Sequence, residues 1–142
     1  PVEQAGAVEI LTVPMRRLDD YDVLGPVGCI KIDVEGHEDA VLRGASRILL
    51  RDHPALIIEV DERHKRGSVG AVSDFLAQLD YRGLFLHRNR LHPIETFRAQ
   101  EHQDPSHIVN GGVNGERYVN NFLFLTRASQ AKMRHLLESP SQ

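Results

Sequence analysis

The sequence predicts an α/β fold in which helices alternate with the strands of a largely parallel sheet. Apolar segments typical of strands alternate with segments whose apolar residues recur at helical spacing. Residues 55–60 form a nearly continuous apolar run, which is typical of a strand covered on both faces. A chain of 142 residues that is 41% hydrophobic and 26% charged is long enough for one domain with a substantial core.

The predicted elements follow one another along the chain. Residues 8–13 are β-branched and partly alternating, which predicts a strand that ends at Pro14. Apolar and polar residues alternate over 29–34, which predicts a strand that turns at Gly36 into a helix over 37–51. Further strands are predicted over 55–60, 84–88 and 118–126, and further helices over 69–79 and 128–138.

These elements predict a single domain with four parts. Residues 1–28 are a lead-in segment with one strand, 29–88 a βαβαβ core, 89–117 a long polar loop, and 118–142 the last strand and helix. Loops of that length are usually lids or binding loops. The chain begins at Pro1 without an initiator methionine, which we interpret as a cut from a longer chain.

Composition argues against several classes of function. The chain has 17 Lys and Arg against 20 Asp and Glu, a net charge of −3, and no basic run, so we expect no nucleic-acid partner. No apolar run approaches the roughly 20 residues of a membrane span, so we expect no membrane partner. The single cysteine, Cys29, cannot form an internal disulfide, which favours a reducing, cytoplasmic location and a small buried role in its strand.

Acidic residues follow two neighbouring strands of the predicted sheet. Asp33 and Glu35 come at the end of the first, and Glu59 and Asp61 come at the end of the second. Because the carboxyl ends of parallel strands share one edge, the four carboxylates should meet there. They could orient a hydroxyl group, accept its proton or hold a divalent cation, whereas pairing with Lys31 or capping of helix amides would be purely structural.

The residues around this edge resemble those of the FkbM-type methyltransferases. The resemblance rests on three stretches: IKIDVEGHE at 30–38, VLRGA at 41–45 and PALIIEV at 54–60. The LDD segment at 18–20 is similar to the one that these proteins carry before this strand. The resemblance continues more weakly to the FLFL stretch at 122–125, which is similar to the last strand of the family.

The resemblance implies a class I methyltransferase fold, a Rossmann-like, three-layer α/β arrangement around a sheet with a late antiparallel strand. Residues 29–34, 55–60, 84–88 and 118–126 would be strands 4 to 7 of that sheet, and strands 1 to 3 would be missing. The resemblance also implies S-adenosylmethionine as the cofactor. The expected reaction transfers its methyl group to a hydroxyl oxygen of a small-molecule, sugar or polyketide-like acceptor.

The resemblance also implies roles for individual residues. Asp33 lies where this fold places a group near the transferred methyl and the acceptor, so it is the candidate base or hydroxyl orienter and the candidate cofactor contact. Glu35 and Glu59 are the next candidates, for acceptor positioning or metal binding, although no metal ligand is assigned. Gly36 allows the turn, and Glu38 is expected to stabilise the start of the helix rather than to contact substrate.

The glycine-rich loop that approaches the cofactor in this fold follows its first strand, and the chain contains no such loop. The glycines within 25–28 and 111–115 precede strands instead. Since holding reactants in line supplies roughly 7–11 kcal/mol of barrier reduction, we expect the chain alone to be inactive or nearly so. The unpaired edge of strand 29–34 also predicts a homodimer or aggregation, unless residues 8–13 cover it.

Two other classes of function are compatible with the residues. Half of a methyltransferase could serve as a catalytically silent binding or dimerisation module. Asp33, Glu35 and Glu59 could instead hold Mg²⁺ in a hydrolase, although no phosphate-holding loop supports this. Four histidines lie in or near the long loop without the spacing of a metal site, so we favour a solvated acceptor-binding lid there; they are His87, His92, His102 and His107.

Overall fold

A mixed sheet of five strands forms the centre of the protein. The computed structural model describes residues 10–23, 25–109, 112–113 and 117–131. The strands are β1 (Cys29–Ile32), β2 (Ala55–Glu59), β3 (Tyr81–His87), β4 (Arg90–Pro93), β5 (Ile108–Val109), β6 (Gly112–Val113) and β7 (Asn121–Thr126). The helices are α1 (Glu38–Arg43), α2 (Ser46–Asp52), α3 (Ser68–Ala77) and α4 (Ala99–His102), and 3₁₀ turns occupy Leu18–Asp20, Ile94–Thr96 and Pro105–His107.

The strand order of the sheet is β1-β2-β7-β3-β4, while β5 and β6 pair separately. β1 and β2 are parallel, and β7 runs antiparallel between β2 and β3. β2 and β3 therefore point in the same direction, and helices α1 to α3 lie in the connections between β1, β2 and β3. This arrangement confirms the predicted α/β class and contains a late antiparallel strand.

The helices α1 to α3 pack against one face of the sheet. The shared core includes Ile32, Leu42, Leu49, Leu56, Ile58, Val72, Leu76, Phe85, Phe122 and Phe124. On the other face, Ile57 of β2 is 39% exposed, so burial of both faces of this strand is not found. Within the described residues, α1 to α3 therefore form one helical layer on one face of the sheet.

The helix predicted over 37–51 is broken into α1 and α2, and Asp19 lies at the break. The amide of Asp19 donates a hydrogen bond to the carbonyl of Gly44. Its carboxylate accepts hydrogen bonds of 2.9 Å from the amide of Arg47 and 3.2 Å from the amide of Ile48. A carboxylate in this position satisfies amides that the first turn of α2 leaves without partners. The LDD segment thus acts as a helix cap.

Two expectations for the early part of the chain are wrong. Residues 10–13 form no strand and are exposed, because no neighbouring strand supplies hydrogen-bond partners; residues 8–9 lie outside the described residues. Cys29 is exposed, since its side chain projects from the face of β1 opposite to Ile30 and Ile32, which pack with the core. Among the described residues, none pairs with the outer edge of β1.

The segment 89–117, predicted as a long loop, contains β4, α4 and two 3₁₀ turns. A two-residue turn, in which Arg88 and Asn89 both have positive φ angles of 49° and 62°, connects β3 to β4. Such turns usually carry Asn-Gly or Asp-Gly, and β4 has only four residues, so no sequence pattern indicated this hairpin.

The end of the chain is only partly described. Residues 127–131 are helical, in agreement with the start of the predicted final helix, and residues 132–138 of that prediction lie outside the described residues. No helix in the described ranges is both long enough and apolar enough to cross a membrane.

Candidate functional site

The carboxyl ends of β1, β2 and β3 lie along one edge of the sheet, the edge at which α/β folds bind their ligands. Asp33 directly follows β1, and Glu59 is the last residue of β2. Because Ile32 pairs with Ile58, the next position on each strand brings Asp33 beside Glu59. β7 begins at the same edge, with Asn121 opposite Glu59. The structure thus brings together two of the three predicted catalytic carboxylates.

Lys31 connects these two carboxylates. Its Nζ lies 3.3 Å from Oδ2 of Asp33 and 3.6 Å from Oε2 of Glu59. On the other side of Glu59, Nδ2 of Asn120 donates a hydrogen bond of 2.7 Å to Oε1. Exposed ion pairs contribute less than about 1 kcal/mol, so Asp33 can exchange Lys31 for a hydroxyl group at little cost.

Glu35 and Gly36 form the turn between β1 and α1. Both have positive φ angles, 46° and 96°, a conformation that costs a residue with a side chain about 1–2 kcal/mol. Glu38 holds this turn, since its buried carboxylate accepts a hydrogen bond of 2.7 Å from the amide of Gly36. The side chain of Glu35 is exposed and, within the described part of the chain, does not share the Lys31 ion pairs that connect Asp33 and Glu59.

Asp61, the fourth carboxylate at this edge, is buried and has several partners. Its Oδ2 accepts hydrogen bonds of 2.8 Å from the hydroxyl of Tyr118 and 2.6 Å from Nη2 of Arg63. Burial raises the pKa of Asp61, but the hydrogen bonds from Arg63 and Tyr118 outweigh burial and hold the pKa below its usual value. Burial and the bond to Asp61 raise the pKa of Tyr118 to about 12. Asp61 therefore supports the site rather than facing a ligand.

Gln103 is a buried residue of this region that no sequence pattern identified. Its Nε2 donates hydrogen bonds of 2.7 Å to the carbonyl of Val60 and 2.8 Å to the carbonyl of Val119. Its Oε1 accepts a hydrogen bond of 3.0 Å from the amide of Glu62. Gln103 thus joins the end of β2 to the segment before β7. A polar residue in a long connection is usually exposed, so the residue type alone does not indicate that Gln103 is buried.

A cleft of about 700 Å³ lies beside β1. Residues 15–18 and Tyr21 line one part of it, and residues of β1 and α1 line another. Its lining includes the apolar residues Ile30, Ile32, Val34 and Val41 together with Lys31 and Asp33. A ligand in this cleft would meet apolar side chains, the carboxylate of Asp33 and the basic side chains of Arg16, Arg17 and Lys31.

Three of the four histidines near the predicted loop belong to an aromatic cluster. The ring of His102 stacks on Phe97 at 5.4 Å, and its edge contacts Phe85 and His87, each at 4.9 Å between centroids. His92 stacks on Phe85 at 5.4 Å. In the described residues, no group of three or more His, Cys, Asp or Glu side chains is arranged to hold a metal ion.

Comparison with protein families gives a match to the Methyltransferase FkbM domain over residues 2–82. The matched residues cover more than half of the chain and include β1, β2 and all three predicted catalytic carboxylates. Comparisons with curated proteins and with solved structures give no significant match.

Proposed function

Because the chain belongs to the FkbM methyltransferase family, we propose that, together with a glycine-rich cofactor loop that it does not itself contain, it transfers a methyl group from S-adenosylmethionine to a hydroxyl oxygen of a small-molecule, sugar or polyketide-like acceptor. One observation carries this proposal. Asp33 is an exposed carboxylate at the carboxyl end of β1, within the matched residues and in the lining of the cleft.

The strand order supports the assignment to a class I methyltransferase sheet. β7 is inserted antiparallel between β2 and β3, as expected for the last strand of that sheet. On this proposal β1, β2, β3 and β7 correspond to the fourth, fifth, sixth and seventh strands of the class I methyltransferase sheet.

The cleft residues fit part of the cofactor. Ile30 and Val41 offer an apolar surface for the adenine ring, and the carboxylate of Asp33 is complementary to a sulfonium cation. When bound, S-adenosylmethionine supplies an electrophilic methyl group. Ile30, Val41 and Asp33 are therefore the residues that we assign to holding it.

Asp33 is proposed as the general base. Its carboxylate would accept the hydroxyl proton of the acceptor, and the oxygen would take the methyl group from the sulfur of S-adenosylmethionine, which would leave as S-adenosylhomocysteine. Before the acceptor binds, Lys31 pairs with that carboxylate at 3.3 Å, and Glu59, 3.6 Å from the same Nζ, holds Lys31 at the site. A positioned general base contributes about 10²–10⁴-fold to a rate. Glu35, in the turn that follows Asp33, is proposed to position the acceptor.

The experiment compares Asp33→Asn with Asp74→Asn, a change at an exposed aspartate of α3. Calorimetric titration with S-adenosylhomocysteine measures cofactor affinity, and labelled S-adenosylmethionine with a panel of hydroxyl acceptors measures turnover in the full natural protein. Because S-adenosylhomocysteine lacks the sulfonium charge that Asp33 would meet, we expect similar affinity for it in all three proteins, and roughly 10²–10⁴-fold slower turnover in Asp33→Asn alone. Unchanged turnover in Asp33→Asn would remove Asp33 from the mechanism. A lack of S-adenosylhomocysteine binding in the natural protein would overturn the choice of cofactor.

A further inference from the structure

A second pocket, of about 500 Å³, lies where β3 ends and the β3–β4 turn begins. Its lining comes from β3, the turn, β4, α4 and the 3₁₀ turn Ile94–Thr96. The charged and imidazole-bearing lining residues are His87, Arg88, Arg90, His92, Glu101 and His102. Methyl transfer, as proposed above, uses none of them.

The hairpin directs three of these side chains, those of His87, Arg90 and His92, to one side of the sheet. Arg90 is paired with His87, and His92 is paired with Phe85. Directly opposed residues of antiparallel strands project from the same face, so Arg90 and His92 lie on the face of His87. The rings of His87 and His92 are 6.1 Å apart. His87 is only 9% exposed, although it lines the pocket.

The pocket has an excess of positive charge. Arg88 and Arg90 each contribute a positive guanidinium group, and neither is among the ion pairs of the described residues. Among the described lining residues Glu101 is the acidic one, and its negative charge offsets one of the two positive charges. The pKa of His87 is lowered, mainly by burial and to a smaller extent by the positive charges of His102, Arg88 and His92. The negative charge of Glu101 acts in the opposite direction. An anion in the pocket would relieve this repulsion.

We propose that this pocket binds the oxyanion group of a small molecule, a phosphate monoester or a carboxylate, through Arg88 and Arg90. Both oxyanions present two acceptor oxygens to a guanidinium group, which forms charge-assisted hydrogen bonds with either. His87 adds a further donor when it is protonated. The proposal goes beyond methyl transfer, because it requires neither S-adenosylmethionine nor Asp33.

Calorimetric titration with sulfate tests the pocket directly. Sulfate keeps two negative charges between pH 5.5 and 8, so a change in affinity over that range reports on the protein. At constant ionic strength we expect saturable binding that is several-fold tighter at pH 5.5 than at pH 8, because the anion favours protonated His87. The groups facing His87 are Arg88 of the turn, Arg90 and His92 of β4, and Glu101 and His102 of α4.

The double variant Arg88→Gln/Arg90→Gln is compared with Arg82→Gln, an exposed arginine at the opposite end of β3. We expect at least roughly tenfold weaker sulfate binding in the double variant and wild-type binding in Arg82→Gln. Equal affinity in the two variants, or no saturable binding to the wild type, overturns the proposal. Glycerol 3-phosphate, glycerate and glycerol then distinguish a phosphate ligand from a carboxylate ligand. Glycerol binding as tight as that of the two anions also overturns the proposal.

Discussion

The hydroxyl of Tyr118 donates a hydrogen bond of 2.8 Å to Oδ2 of Asp61 and so joins the segment before β7 to the end of β2. The guanidinium group of Arg63 lies 5.2 Å from the centre of the Tyr118 ring and pairs with the same carboxylate. Asn120, two residues beyond Tyr118, donates a hydrogen bond to Glu59, and its carbonyl accepts one from the amide of Val60. The candidate site therefore depends on residues that lie outside it.

Tyr118→Phe should lower the free energy of unfolding by about 1–3 kcal/mol, because buried Asp61 loses a hydrogen-bond donor. Tyr81→Phe is the matched control. The hydroxyl of Tyr81 is also buried, but it has no hydrogen-bond partner within the described part of the protein. Its removal should leave stability unchanged or raise it. Urea unfolding followed by circular dichroism measures both, and equal losses in the two variants would contradict the role of the Tyr118 hydroxyl.

Protonation of Asp61 should lower the stability of the protein in acid. Its pKa is lower in the folded state than its ordinary value of 3.8, since the bonds from Arg63 and Tyr118 outweigh the effect of burial. The stabilisation is therefore present above pH 3.8 and is lost as the pH falls through the lower, folded-state pKa. Unfolding curves between pH 2 and 6 should show a shallower pH dependence for Asp61→Asn than for the wild type. Parallel curves would exclude Asp61 as the source.

Gly83 should not tolerate a side chain. A Cβ atom at this position would lie 2.8 Å from Cε1 of Phe124 and 2.9 Å from two side-chain atoms of Ile94. Gly83→Ala should therefore destabilise the protein by about 1–3 kcal/mol. Gly70→Ala, within α3 and with nothing within 4 Å, should stabilise it by up to about 1 kcal/mol. Thermal unfolding of both variants tests whether β3 is closely packed at Gly83. Equal melting temperatures of the two variants would contradict this packing.

Glu35 combines a strained backbone with a proposed functional role. Glu35→Gly relieves about 1–2 kcal/mol of left-handed strain and loses about 0.5–1 kcal/mol to added freedom in the unfolded chain. We expect unchanged or slightly higher stability together with slower methyl transfer. Thermal unfolding and the labelled-methyl assay measure the two effects separately. Full turnover in the variant would show that Glu35 serves only the turn.

Local sequence patterns predicted the part of the fold that local geometry controls. Alternation over 29–34 and the apolar run over 55–60 located β1 and β2, and parallel pairing then placed Asp33 beside Glu59. Apolar residues that recur every two residues in a strand, or every 3.6 residues in a helix, indicate which face of the element is buried. These periods depend only on residues that are close together in the sequence. The same reasoning failed for residues 10–13, because a strand also requires a partner strand.

The sequence by itself thus determined the α/β class, the carboxylates at the ends of two strands and the resemblance to a methyltransferase family. Only the tertiary structure decided which polar groups support them. Asn120 reaches Glu59 across 61 residues of chain, and Tyr118 reaches Asp61 across 57. The tertiary structure also brings the arginines and histidines of the β3–β4 hairpin together in one pocket. The physical reason is that a residue's type fixes which bonds it can form, while the packing of distant elements selects its partner.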